Sequence, residues 1–285
     1  MNVTEQQAAL RVAVAAARQA GAIMARNLHA AKKIKASTQH DIKLELDVRC
    51  QQVIESVLTK AYPAISILGE EGVAGDSGSR YRWVIDPIDG TVNFTYGIPH
   101  ACVSIALQAK AAPPSLHPPT PQPPPSRAGR RQGLSPADYQ TLLGVVYDPF
   151  CDELFTGSRG RAARLNGRPI RVSRRRRLEE AIIAIGFSKT RSTLAQMLPA
   201  FCRLTHRVRK IRIFGAAALS LAYVAGGRMD AYVEMGLRLW DIAAGGLILE
   251  CAGGDFRHWP VPGAPLTYRI MANNGPLAGP LEKLI

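Results

Sequence analysis

Asp86 and Asp89 stand three residues apart around Pro87, in the run Trp83-Val-Ile-Asp-Pro-Ile-Asp-Gly-Thr91. Proline fixes its own φ and drives the preceding residue into an extended conformation, so a strand ending here must turn at once, and Gly90 permits the bend. Both carboxylates can then face one point, with the Ile88 carbonyl between them. Such oxygen donors suit Mg²⁺, which takes hard ligands and keeps several waters. The same residues also spell an ordinary turn, because Asp-Pro and Asp-Gly are common turn dipeptides; alone, the pattern leaves both readings open. Glu70-Glu71 closes another apolar run, where acids gain nothing from packing. Asp241 follows Trp240 at the opening of a helix, as either a cap or a ligand. Four acids on separate elements, with Thr91 beside them, are what a phosphoryl-transfer site built on two cations about 3.5–4 Å apart requires. The rest of such chemistry is positioning and charge neutralisation.

The elements that must hold these residues read as a mixed α/β chain. The periodicity predicts a helix over 4–28, capped by Thr4 with Gln7, and a second over 47–62 that Pro63 stops. Strands are expected at 65–68, 83–85, 101–110, 141–147 and 153–155, with a tight hairpin turn at Asn166-Gly167. The second half alternates: strands at 181–185, 211–214, 230–234 and 269–271, and helices at 192–206, 215–225, 240–251 and 276–284. Between residues 111 and 136, nine of 26 residues are proline. This segment, about 111–138, reads as an insertion in a hairpin connection, a spacer or a P-x-x-P partner ligand.

Composition narrows the class. With 285 residues, 47% of them hydrophobic, the chain buries roughly three quarters of its unfolded surface and needs no disulfide or structural metal to fold. Five scattered cysteines without a C-x-x-C pair, and six histidines without ligand spacing, argue against a disulfide framework and a zinc or iron centre. No membrane-spanning stretch or signal peptide is evident, and the expected location is the cytoplasm. The net charge of +14 is local: residues 161–177 hold eight arginines and no acid, and 203–212 hold five basic residues. Those clusters suit a solvated face, an anionic partner or nucleic acid, although no aromatic-rich RNA-binding motif accompanies them.

Glu70-Glu71, Trp83-Val-Ile-Asp-Pro-Ile-Asp-Gly-Thr-Val-Asn-Phe94 and Trp240-Asp-Ile-Ala-Ala-Gly245 together resemble the inositol monophosphatase family, and Glu234-Met-Gly236 and Leu165-Asn-Gly167 agree with it. The resemblance implies one catalytic domain over 1–285, a layered α-β-α-β-α sandwich of the inositol monophosphatase and fructose-1,6-bisphosphatase type. It implies a homodimer that hydrolyses inositol monophosphate, or a similar polyol or sugar phosphate, with two or three Mg²⁺ ions and is inhibited by lithium. Glu70, Asp86 and the Ile88 carbonyl would hold the first ion, and Asp86, Asp89 and Asp241 the second. A metal-held water near Glu70 and Thr91 would attack, with Asp47 orienting the Thr91 hydroxyl. The phosphate would meet the Gly90 and Thr91 amides beside Asp89. The substrate's hydroxyls would meet Glu234, Asp241 and the segment Gly215-Ala216-Ala217.

Ala216, where many relatives carry Ser or Thr, and Arg238, three residues before Asp241, depart from the pattern and leave the substrate open. The same chemistry on a bisphosphate (fructose 1,6-bisphosphate, adenosine 3′,5′-bisphosphate), with Arg238 or Arg212 meeting the second phosphate, is one alternative, and histidinol phosphate another. A different class is a binding protein of the transcription machinery or RNA that uses the arginine clusters.

Overall fold

Alanine spacing decides how the chain begins. The computed structural model describes residues 1–37, 42–76, 78–110, 139–187 and 191–285. Its first helix, α1 (Val3–Asn27), buries Ala9, Ala13, Ala16, Ala17 and Ala20 along one stripe. The cap is Asn2, not the expected Thr4: Asn2 accepts from the Glu5 amide (2.9 Å) and Glu5 accepts from the Asn2 amide (2.8 Å). The cap lies two residues earlier than the sequence announced, so the capping box shifts from Thr4 and Gln7 to Asn2 and Glu5.

A two-stranded ribbon, β1 (Ile34–Ser37) and β2 (Ile42–Leu44), leads into α2 (Glu45–Ala61). Then follow β3 (Ser66–Gly69), β4 (Gly72–Ala74), β5 (Tyr81–Asp89), the short α3 (Thr91–Thr95) and β6 (Cys102–Lys110). β7 (Tyr139–Asp148), β8 (Glu153–Ser158), β9 (Arg164–Leu165) and β10 (Arg168–Pro169) complete an eight-stranded sheet of order β10-β9-β8-β7-β6-β5-β3-β4. Asn166 and Gly167, both at positive φ, turn β9 into β10 as the sequence suggests. Lys110 lies opposite Tyr139, so β6 and β7 are hairpin neighbours. The proline-rich segment joining them, 111–138, lies outside the described residues.

The second half supplies β11 (Ile182–Ile185), α4 (Arg191–Thr205), β12 (Lys210–Arg212), α5 (Ala217–Ala225), β13 (Ala231–Arg238), α6 (Leu239–Cys251), β14 (Asp255–Pro260), β15 (Thr267–Asn273) and α7 (Ala278–Glu282). Its five strands run β12-β11-β13-β15-β14. Three cores stack the layers. One packs α1 and α2 on the outer face of the large sheet; a second sets α5 and α6 between the two sheets; a third covers the far face of the small sheet with α4 and α7. The mixed α/β, α-β-α-β-α sandwich is therefore present. By length and composition α1 is apolar enough to cross a membrane; here its apolar stripe is spent on α2, β6 and β7.

One local expectation is corrected. The chain does not turn at Pro87: β5 continues to Asp89. Against β6 the pairing slips, with Asp86 opposite Ser104 and Asp89 opposite Cys102, so three steps on β5 match two on β6. In a regular strand, residues three apart face opposite sides; one inserted residue restores the parity and puts both carboxylates on one side. Pro87 suits the irregularity because it has no N–H to lose.

Candidate active site

β3 and β5 run parallel, with Gly69 opposite Ile85, so Glu70 emerges beside Asp86 at the C-terminal ends of these two interior strands of the large sheet. The Glu70 amide donates to the Ile85 carbonyl (3.2 Å), which fixes that alignment. Asp241 arrives from the first turn of α6, where its Oδ2 accepts from the Arg238 amide (2.7 Å). The carboxylates of Asp86, Asp89 and Asp241 each place an oxygen so that all three lie within 4.8 Å of one another. Glu70 stands outside that triad but close by.

Burial is the largest cause that pushes the Asp86 carboxyl well above the usual carboxylate range, followed by the charges of Glu70, Asp89, Asp241 and Asp47. Burial also raises Asp89, to about 6, against the pull of the Ala217 amide (3.0 Å), the Ala218 amide (2.8 Å) and the Cys102 thiol (3.5 Å). Acids crowded where water cannot screen them are relieved by a cation. An all-oxygen set fits Mg²⁺ better than a softer metal. Asp86, Asp89 and Asp241 would hold such an ion, with Glu70 and the Ile88 carbonyl adjoining. That carbonyl accepts from the Thr91 hydroxyl (2.8 Å) and keeps a second lone pair.

The other sequence-derived residues sort themselves around this centre. Asp47 is buried and accepts from the Leu44 amide (2.7 Å) at the start of α2, while the Thr91 hydroxyl it was expected to orient turns to Ile88. Gly90 has φ +90°, and a Cβ there would lie 3.0 Å from the His100 carbonyl oxygen, so both conformation and space demand glycine. Asn93 then staples the start of α3 to the second half of the chain, donating to the carbonyls of His100 (2.9 Å) and Phe214 (2.7 Å). Of Gly215-Ala216-Ala217, expected to meet substrate, Gly215 is exposed, whereas Ala216 and Ala217 are buried and the Ala217 amide is engaged by Asp89. Arg238, a candidate to meet a second phosphate, donates instead to the Pro265 carbonyl (3.1 Å) and the Thr267 hydroxyl (2.9 Å). Arg212 is exposed, and its guanidinium donates to the Ile211 carbonyl (3.0 Å).

Glu234 sits half-buried on β13 and accepts from the Tyr232 hydroxyl. Tyr232, Cys102 and the Ala218 amide were missed by sequence reasoning. Period-two spacing from Glu234 would have flagged Tyr232. Cys102 and a backbone amide carry no comparable signal.

The inositol monophosphatase family model matches residues 5–114 and 137–284, so the unmatched stretch falls within the proline-rich segment. A protein named Nus factor SuhB from Pseudomonas aeruginosa is 41% identical over 256 residues, 87% of this chain and 84% of its own length. The Escherichia coli (strain K12) protein of the same name is 37% identical over 249 residues, 86% and 83% of the two chains. Among solved structures, the extragenic suppressor protein suhB of Bartonella henselae superposes with a TM-score of 0.81 at 34% identity, covering 97% of this chain and 98% of that one. The inositol monophosphatase of Anabaena (Nostoc) sp. PCC 7120 gives 0.77 at 33% identity, covering 98% and 96%. A family-model match along nearly the whole chain, together with relatives up to 41% identical over most of its length, makes the protein a member of the inositol monophosphatase family.

Proposed function

We propose that the chain is a Mg²⁺-dependent phosphomonoesterase that releases phosphate from inositol monophosphate or a similar polyol or sugar phosphate. The observation that carries this reading is the convergence of the buried Asp86 and Asp89 with the half-buried Asp241, within 4.8 Å, in a mutually repelling group beside Glu70. Bound Mg²⁺ would supply Lewis-acid activation of water and charge neutralisation at the phosphate. Around it, Glu70 and Thr91 would accept and orient the attacking water, and Asp47 would steady the start of α2 beside them. The Gly90 and Thr91 amides would receive phosphate oxygens, and Glu234, Asp241 and Gly215 would face the alcohol's hydroxyls. The reading includes a cytoplasmic homodimer and inhibition by lithium; the five cysteines, all without disulfides, are compatible with a reducing compartment.

Phosphate release from inositol 1-phosphate, fructose 1,6-bisphosphate, adenosine 3′,5′-bisphosphate and histidinol phosphate, with and without Mg²⁺, tests it. Mg²⁺-dependent release, fastest from the polyol monophosphate, is the expected result. A protein inert towards every ester in Mg²⁺ would sink the proposal.

A second reading, a partner of the transcription machinery, is favoured by the relatives named Nus factor SuhB and by the exposed Arg174, Arg176 and Arg177. Asp89→Asn separates the two: hydrolysis lost with partner binding kept marks two independent roles.

A further inference from the structure

Glu234 is held on two sides. Residues 232 and 234 share a face of β13, and the Tyr232 hydroxyl donates to Glu234 Oε2. Tyr232 is only 3% exposed, packed in the core between the two sheets. Burial, then the charge of Glu234, then those of Asp89 and Asp241 push its phenol well up, so the ring lies beside the acidic centre and keeps its proton as a donor. On the second side, the carboxylate rests against Gly186, just past β11: a Cβ on Gly186 would overlap Oε2 and Cδ of Glu234. The Gly186 amide donates to the Val233 carbonyl (3.1 Å), so the seat itself is fixed in the sheet. A carboxylate offers about four lone-pair directions. With one oxygen tied to a buried phenol, the acceptor capacity that remains has a defined direction, and little side-chain entropy is left to lose on binding.

Resting on the phosphatase reading above, we propose that Tyr232 is a positioning residue which, with the bare Cα of Gly186, fixes the Glu234 carboxylate to accept hydroxyl groups of the substrate alcohol. The substrate class is then a phosphate ester of a hydroxyl-rich alcohol, discriminated from plain aryl or alkyl phosphates.

The experiment compares inositol 1-phosphate with p-nitrophenyl phosphate for the wild type, Tyr232→Phe, Gly186→Ala and Glu234→Gln. Tyr232→Phe should raise KM for inositol 1-phosphate about three- to tenfold, the worth of one hydrogen bond, while kcat and both p-nitrophenyl phosphate constants stay within about twofold. Gly186→Ala displaces only the end of a flexible side chain, so it should fold and show the same split, and Glu234→Gln should lose at least as much kcat/KM for inositol 1-phosphate as Tyr232→Phe. If Tyr232→Phe does not fold, the Gly186→Ala comparison decides. Equal losses on both esters, or no change on either, would overturn the inference while the phosphatase reading stands. A wild type that releases phosphate from neither ester would overturn that reading and this inference together.

Discussion

Asp89 is pulled two ways: burial raises it to about 6, while the Ala217 and Ala218 amides and the Cys102 thiol hold its charged form. An unfolded aspartate titrates near ~3.9. The folded, metal-free chain therefore binds the proton more tightly than the unfolded one. The stability this contributes is complete below about pH 4 and is lost as pH rises through about 6. Mg²⁺ opposes the loss, so its addition should raise Tm more at pH 7.5 than at pH 5, and this pH-dependent increment should shrink in Asp89→Asn. The same substitution should lower kcat/KM for inositol 1-phosphate by at least about 100-fold, more than the loss of a supporting residue behind a metal ligand. Melting within a few degrees of wild type would show that the fold survives. Glu70, Asp86 and Asp89 were legible in the sequence because acids that close apolar runs have no packing reason to be there, whereas Asp241, at a helix start, stood out from a cap only through the family resemblance. Tyr232 has only its period-two spacing from Glu234 to set it apart from an ordinary strand aromatic, and the Ala217 and Ala218 amides are backbone groups that composition cannot advertise. Only tertiary contact gives them a role.

At the scale of elements, the site depends on how closely α6 lies on the large sheet. A Cβ on Gly144 of β7 would come 2.7 Å from the Ala244 carbonyl oxygen and 2.9 Å from its Cα. Gly144→Ala must lift the helix, at a cost of about 1–3 kcal/mol from overpacking. Because Asp241 rides on that helix, Mg²⁺ affinity should fall along with Tm, which titration of the activity against Mg²⁺ would reveal. An unchanged Mg²⁺ requirement in a destabilised variant would count against this coupling. The sequence placed α5 and α6 well, since helices apolar on every side can only lie between layers. It did not reveal the slip in β5 that brings Asp86 and Asp89 to one side, because that depends on the partner strand. Nor did it reveal β14, where Asp255-Phe-Arg-His-Trp-Pro260 lacks alternation on an edge of the small sheet.

For the molecule as a whole, the arginine-rich stretch is not one uniform surface. Arg175, itself exposed, pairs with Asp230 (2.9 Å), a carboxylate with 0% exposure that also accepts from the Ile182 amide (2.8 Å), whereas the exposed Arg174 forms no ion pair among the described residues. Arg175→Ala should therefore cost about 1–2 kcal/mol and Arg174→Ala less than about 0.5 kcal/mol, measured by denaturant unfolding. Equal effects would return the stretch to a single solvated face. The β6–β7 pairing makes a second case. Replacing residues 112–137 by a short Asn-Gly turn should leave Tm within a few degrees and activity unchanged, since loop closure depends only weakly on length. Layer order, by contrast, was legible only through the family resemblance, because periodicity locates elements without saying which lie side by side. Asp86 and Asp89 come from one sheet, Asp241 from the middle helix layer and Glu234 from the other sheet. Neither half of the gene can thus be inherited as a working unit. A chimera spliced between relatives at the middle of the chain would recover its chemistry only if both parents preserve the seam where the Ala217 and Ala218 amides grip Asp89.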